Sequence, residues 1–215
     1  MMCTRVAAGG SSHTVNGASA VAGRQRAETE DEVLGRQLRT LGMHLVQTRP
    51  DGDCLFSAVA DQATRVGLAQ VVGGVVTASQ LRAAAAEAMR STPEDYAPFL
   101  ADVELEEWAS TIEHTREWGG QLELRALADS LDSSIVVHSA GEPPMRILGP
   151  NHRNRLSAVG DGRGSGRPEL HVSYHREQFL LGEHYNSVVL GPGDDGAGDD
   201  DADGNNGCGG WTTVG

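Results

Sequence analysis

The sequence predicts an α/β (α+β) domain, a small central β-sheet flanked by helices. Three observations carry this expectation. Apolar residues recur at helical spacing in several segments, as Leu55, Val59, Ala63 and Val66 do. Ser134-Ile135-Val136-Val137-His138 is a continuous apolar β-type run, as in a central strand covered on both faces. A second β-type run, Ser187-Val188-Val189-Leu190, follows His184-Tyr185-Asn186. The expected organisation is a leader over 1–30, a domain over 31–190 and an acidic Gly/Asp-rich tail over 191–215.

Each element follows in chain order. Residues 1–27 are rich in Ala, Gly and Ser, carry Arg5, Arg24 and Arg26, and hold no acidic residue before Glu28. They lack an apolar h-region, so a disordered leader is expected, with an organelle transit peptide as the alternative. Asp31 to Met43 reads as a helix with Val33 or Leu34, Leu38 and Leu41 on one side, stopped near Gly42. His44 to Thr48 is a short extended piece leading to Pro50. Val66 to Thr77 is a Gly- and Val-rich loop or short hairpin, with Gly73-Gly74 suited to the turn. Ser79 to Arg90 is an Ala-rich helix with Leu81, Ala85, Ala88 and Met89 inward. Tyr96 to Leu100 is an apolar connector, and Glu104 to Arg116 a helix striped by Leu105, Trp108 and Ile112. Trp118-Gly119-Gly120 breaks the chain before a helix over Gln121 to Leu131, with Glu123 in its first turn favoured by the dipole. Met145 to Leu148 pairs back on the Ser134–His138 strand after the turn at Glu142-Pro143-Pro144. Ser157 to Pro168 is a flexible loop whose Arg163 and Arg167 are candidate substrate contacts; it lacks the G-K-[ST] ending of a phosphate loop. His138 is expected to be structural, and His171 and His175, four residues apart in extended chain, are too far apart to share a metal.

The chemistry concentrates in Arg49-Pro50-Asp51-Gly52-Asp53-Cys54-Leu55-Phe56. Asp53 is a good N-cap, which makes Cys54 the first helical residue. Unpaired backbone N–H groups and the helix dipole favour thiolate there, below the free-cysteine value of about 8.5. Gly52 lets the chain turn sharply and brings backbone N–H groups, those of Gly52 and Asp53 included, close to whatever the sulfur attacks. The competing reading is a buried structural cysteine at a capped helix. A nucleophile needs a base and the base an orienting group. His184 stands at the mouth of the last β-type run, and Asn186, two residues on, points to the same side of a strand.

Composition narrows the function classes. The formal net charge of −13 argues against nucleic acid as the main partner. Three cysteines, Cys3, Cys54 and Cys208, lie far apart with no CxxC pair, which is neither a disulfide framework nor a zinc site. That pattern favours a reducing compartment, cytoplasmic or nuclear. No apolar run approaches 18 residues, so no membrane-spanning helix is expected. No cofactor or metal is called for, and a monomer is expected. All 17 basic residues are arginine. Codon bias accounts for this; a chain that cannot be ubiquitinated on a lysine is the sharper alternative.

At Asp51-Gly52-Asp53-Cys54-Leu55-Phe56 and His184-Tyr185-Asn186-Ser187-Val188 the chain resembles the ovarian-tumour (OTU) domain cysteine proteases, which are mostly deubiquitinases. Trp118-Gly119-Gly120-Gln121-Leu122-Glu123-Leu124 is similar to that family's W-G-G-x-x-E-L segment, and Glu169 to His175 to the strand beside its histidine strand. The resemblance runs from about Leu38 to Val189, with the motifs in the family's order. It implies a papain-like fold and thioester chemistry at Cys54 and His184. The implied substrates are isopeptide bonds at the ubiquitin C-terminus, so ubiquitin, polyubiquitin chains and ubiquitinated proteins are the implied partners. The family commonly counts the aspartate at the position of Asp51 as a triad member. Asn186 is physically the simpler orienter, and Asp51 then shapes the oxyanion loop. Trp118, Gly119, Gly120 and Tyr185 are expected to position substrate. The alternatives are a catalytically silent ubiquitin-binding module, or a cysteine hydrolase acting on another ubiquitin-like modifier or a small amide.

Overall fold

The computed structural model describes residues 28–68, 75–150, 168–176 and 182–191. Residues 1–27 of the leader and 192–215 of the tail, with Cys3 and Cys208, the Gly73-Gly74 turn and the loop arginines Arg163 and Arg167, lie outside the described residues.

Six helices surround one five-stranded sheet among the described residues. Helix α1 (Glu30–Thr40) begins with a capping box, in which Thr29 and Glu32 satisfy each other's backbone N–H. It ends earlier than expected. Gly42 adopts φ +68°, and the chain turns into β1 (Met43–Val46). Leu34 and Leu38 are buried as predicted, whereas Leu41, past the last turn, is 49% exposed. Helix α2 (Cys54–Arg65) starts at the cysteine and buries Leu55, Val59 and Ala63 completely. Helix α3 (Ala78–Ser91) opens on a Thr77–Gln80 capping box and buries Leu81, Ala85 and Met89. A short helix, α4 (Pro93–Tyr96), precedes the connector; Pro93 sits in its first turn, where a missing N–H costs nothing. Tyr96 is fully buried, and its hydroxyl donates to Asp129 at 2.7 Å. Helices α5 (Leu105–His114) and α6 (Gln121–Ser130) complete the layer.

The strands are β2 (Ile135–Ser139), β3 (Met145–Ile147), β4 (Leu170–His175) and β5 (His184–Leu190), in the order β1-β5-β4-β2-β3. Only the β2–β4 pair is parallel. The Ser134–His138 run is therefore an interior strand, but β4 holds the middle of the sheet. The main core joins Leu55, Phe56 and Val59 of α2 to Leu81 and Met89 of α3, Ile112 of α5 and Leu124 and Leu127 of α6. Ile135, Leu170, Val172 and Tyr185 face it from the sheet. A smaller cluster, Leu34, Leu38 and Val188 with Met43 and Leu45, seats α1 against β1 and β5. Burying a leucine-sized side chain contributes about 2 kcal/mol, so the larger core fixes α2 firmly on the sheet. Gln62 fixes its register: the buried amide donates to Ser187 Oγ (2.8 Å) and Val188 O (2.9 Å) and accepts from His171 N (2.9 Å). Helix α2 is thus pinned to β4 and β5, the strands that carry His175 and His184.

Candidate active site

The β1–β5 register sets Val46 opposite Ser187, and the chain beyond β1 brings Thr48 against the start of β5. Thr48 N donates to Asn186 Oδ1 at 2.9 Å, and the Thr48 hydroxyl donates to Tyr185 O. His184, 1% exposed, and Asn186, fully buried, share one side of the strand as their spacing predicts. His184 Nε2 stands 2.9 Å from Asn186 Oδ1 and 3.3 Å from Thr48 Oγ1. Asn186 Oδ1 already accepts the Thr48 N–H, so it is the oxygen, and the histidine proton sits on Nε2. That tautomer presents Nδ1 as the basic nitrogen.

Cys54 opens α2 and is 1% exposed. Burial pushes its thiol above the ordinary range, opposed by backbone hydrogen bonds from Tyr185 and Leu55 and reinforced by the charge of Asp51. The helix terminus alone predicted a lowered value; desolvation outweighs the dipole here. Tyr185, whose backbone opposes the rise of the thiol, is the residue that follows His184. His184 is also shifted down, by burial first, against the raising effect of the Asn186 bond. A buried thiol held up and an imidazole held down rest as a neutral pair, so the proton moves when the sulfur reacts.

The loop before α2 differs from expectation at Asp53. It occupies the N-cap position, but its carboxylate makes no cap bond. Asp53 Oδ1 accepts from Arg82 Nε at 2.7 Å, and Oδ2 lies 3.4 Å from Arg116 Nε. Asp51 Oδ1 accepts the Asp53 N–H at 3.0 Å, and Oδ2 is 3.5 Å from Arg116 Nη1. Asp51 therefore braces the loop, while its charge still raises the affinity of the His184 ring for a proton. Asp51 N donates to Arg49 O, Cys54 N to Asp51 O and Asp53 N to Asp51 Oδ1. Among the described residues this leaves Gly52 as the amide of the Asp51–Cys54 stretch not engaged within the loop, a change from the Gly52 and Asp53 pair expected. A Cβ on Gly52 would lie 1.8 Å from Arg116 O, so the position requires glycine.

Arg82 is the residue that sequence reasoning missed. It is 3% exposed and sits in the Ala-rich face of α3. Its guanidinium donates to Gly52 O (2.7 Å), Glu117 O (2.9 Å) and Ile112 O (3.1 Å) as well as to Asp53, and lies 4.1 Å above the Phe56 ring centre. It ties the loop before the cysteine to the segment before Trp118. The available signal was a lone arginine in an otherwise apolar helical face.

The remaining expected residues divide. Gly119 packs on α2: a Cβ there would lie 2.7 Å from Leu55 Cδ2 and 3.0 Å from Phe56 Cε2. Gly120 N donates to Glu123 Oε2 (2.6 Å), and Glu123 Oε1 accepts from Trp108 Nε1 (2.8 Å), so this glycine starts α6. Trp118 is 36% exposed beside these contacts. Tyr185, expected to touch substrate, is 5% exposed in the main core, its ring 5.2 Å from that of Tyr174. A strand that turns His184 to one side sends Tyr185 to the other.

The OTU-like cysteine protease family matches residues 49–185. Deubiquitinase OTUD6B of Homo sapiens is 32% identical over 74% of this chain and 51% of its own length. OTU domain-containing protein 2 of Saccharomyces cerevisiae is 28% identical over 65% of this chain and 43% of its own. The chain spans about half the length of these curated relatives. The OTUD1 OTU domain superposes with a TM-score of 0.54 at 22% identity, covering 74% of this chain and 94% of that one, which shows the same fold. The chain belongs to the OTU-like cysteine protease family.

Proposed function

We propose that this member of the OTU-like cysteine protease family is a thiol-dependent deubiquitinase, hydrolysing isopeptide bonds at the ubiquitin C-terminus. The observation that carries the reading is the His184 Nε2 to Asn186 Oδ1 bond of 2.9 Å, on either side of Tyr185, whose backbone holds the Cys54 thiol down against burial. It is supported by the deubiquitinase name of the human relative and by the family motif around Cys54.

In this mechanism Cys54 Sγ attacks the carbonyl carbon of the terminal glycine as His184 Nδ1 takes the thiol proton. Charge develops on the carbonyl oxygen and is met by the Gly52 amide, in a loop held rigid by Arg82 and Asp51. The tetrahedral species collapses; His184 returns its proton to the lysine amine, which leaves, and a thioester remains. Water then loses a proton to His184, adds to the thioester carbonyl and expels the Cys54 sulfur, which recovers the proton. Asn186 holds the ring throughout and stabilises the imidazolium.

A ubiquitin probe with a C-terminal electrophile tests this directly. Labelling at Cys54, with diubiquitin cleavage that disappears in Cys54→Ala, is the expected result. Folded protein that neither labels nor cleaves any diubiquitin linkage overturns it.

A further inference from the structure

Behind Asn186 lies a second buried histidine that the mechanism above does not use. His175, fully buried at the end of β4, pairs across the sheet with His184, the ring centres 6.4 Å apart. Its Nε2 lies 2.9 Å from Ser173 Oγ and 3.3 Å from Asn186 Nδ2. Its Nδ1 stands 2.9 Å from Asp31 Oδ1 of α1, a close contact out of line with the ring N–H and so mainly electrostatic.

We infer that His175 is a positioning residue, whose unprotonated Nε2 locks the Asn186 amide in the one orientation that orients His184. The Thr48 N–H can only donate, which places the Asn186 oxygen on that side and the Nδ2 hydrogens toward His175. Nε2 of His175 must then accept, and Asp31 draws the ring proton to Nδ1. The order runs Asp31, His175, Asn186 and His184, from the surface of α1 to the proposed base. Protonation of His175 would set an N–H against the amide N–H₂; the Ser173 hydroxyl, 2.9 Å away, can accept that N–H, and the amide N–H₂ then loses its acceptor. Without that anchor the amide is free to turn, and a turned amide presents N–H₂ to the His184 Nε2–H and to the Thr48 N–H, so the base loses its orientation. The charged groups facing His175 are Asp31 and Glu30 from α1 and His184 from β5; the backbone N of Arg176, next in the chain, donates to Glu30. Burial holds the ring below the ordinary histidine range, against the raising effect of both carboxylates. The lock is therefore closed at neutral pH and opens in acid.

The inference deepens the proposed function and rests on the same site, so its test has readouts that need no ubiquitin. Rates of iodoacetamide reaction at Cys54, followed at the peptide level by mass spectrometry across pH, are compared with kcat and KM on a ubiquitin substrate. The comparison covers wild type, His175→Gln and His175→Leu. The glutamine keeps an acceptor near Nε2 but cannot titrate; the leucine removes the acceptor and leaves an apolar group. His175→Leu is expected to lose about ten-fold or more in kcat with KM unchanged, and to lose the single Nε2–H tautomer signature of His184 in ring ¹⁵N spectra. His175→Gln is expected to stay within about three-fold of wild type, and its acid limb to fall with one proton where that of wild type falls with two. A His175→Leu protein with wild-type kcat and an unchanged His184 tautomer overturns the inference, as does a His175→Gln protein that keeps the two-proton limb. If wild type cleaves no ubiquitin substrate while the Cys54 and His184 signatures change as described, the substrate assignment fails and the lock stands.

Discussion

Asn186 Oδ1 accepts from both the backbone of Thr48 and the ring of His184, each at 2.9 Å, so one amide oxygen joins the chain just past β1 to His184, the proposed base. The proposed orienter is therefore itself fixed by a strand edge. Asp51, by contrast, spends its carboxylate on the Asp53 amide and Arg116. Asn186→Ala is expected to lower kcat about 100-fold with little change in KM, the scale of a misdirected general base, and Asp51→Ala by less than about ten-fold. Steady-state kinetics on a fluorogenic ubiquitin substrate separates them. A silent Asn186→Ala with a dead Asp51→Ala would reverse the assignment.

Arg82 sits 3% exposed with three backbone carbonyls and one carboxylate around it. Arg82→Met leaves those acceptors buried and is expected to cost about 3 kcal/mol in urea unfolding. Arg82→Lys should recover little, because an ammonium cannot reproduce the planar fork. Full stability in the methionine variant would show that the loop does not depend on this guanidinium.

Glycine at 52 and at 119 is required for different reasons. At Gly52 a methyl group meets backbone, Arg116 O at 1.8 Å, whereas at Gly119 it meets side-chain atoms of Leu55 and Phe56, the nearest at 2.7 Å. Side chains give way more cheaply than backbone. Gly52→Ala is expected to destabilise by about 3 kcal/mol and to abolish Cys54 labelling, and Gly119→Ala by about 1–2 kcal/mol with labelling retained. Thermal unfolding alongside probe labelling gives both answers.

Acid stability should be governed by buried histidines. Desolvation, with His171 beside it at 3.1 Å, pushes His138 down to about 4 from the usual 6.5. His171, His175 and His184 are shifted in the same direction. A base with a lowered folded value binds fewer protons than in the unfolded chain, so its contribution is whole above about 6.5 and is lost as pH falls toward 4. For His138 the loss is about 3 kcal/mol. Unfolding free energies of His138→Phe between those pH values should decline less steeply than those of wild type, and an equal slope would remove His138 from the account.

The helices and the pairing of His184 with Asn186 were legible because their signals are local. The 3.6-residue stripes of α2 and α3 survive as buried faces, that of α5 as Ile112 buried with Leu105 and Trp108 half-buried beside it, and the two-residue spacing of His184 and Asn186 survives as a hydrogen bond. The failures share a cause. Asp53 read as a cap because nothing local competes for its carboxylate, but Arg82 arrives from a helix 29 residues away and takes it. Tyr185 read as a substrate contact because it adjoins His184, yet pleating turns it into the core. Cys54 read as a lowered thiol because the helix terminus is visible in sequence, whereas its depth is not.

By itself the sequence determined which groups are present and which lie within a turn or a strand pair of one another: the cysteine at a helix start, the histidine with its asparagine, the apolar faces. Only the tertiary structure decided what surrounds them. Thr48, Arg82 and His175 reach the site through strand pairing and helix packing across long stretches of chain, and burial, which set the protonation of Cys54 and His184, belongs to the assembled fold. Spacing along a chain encodes direction, but desolvation and long-range hydrogen bonds exist only once distant segments have closed around the site.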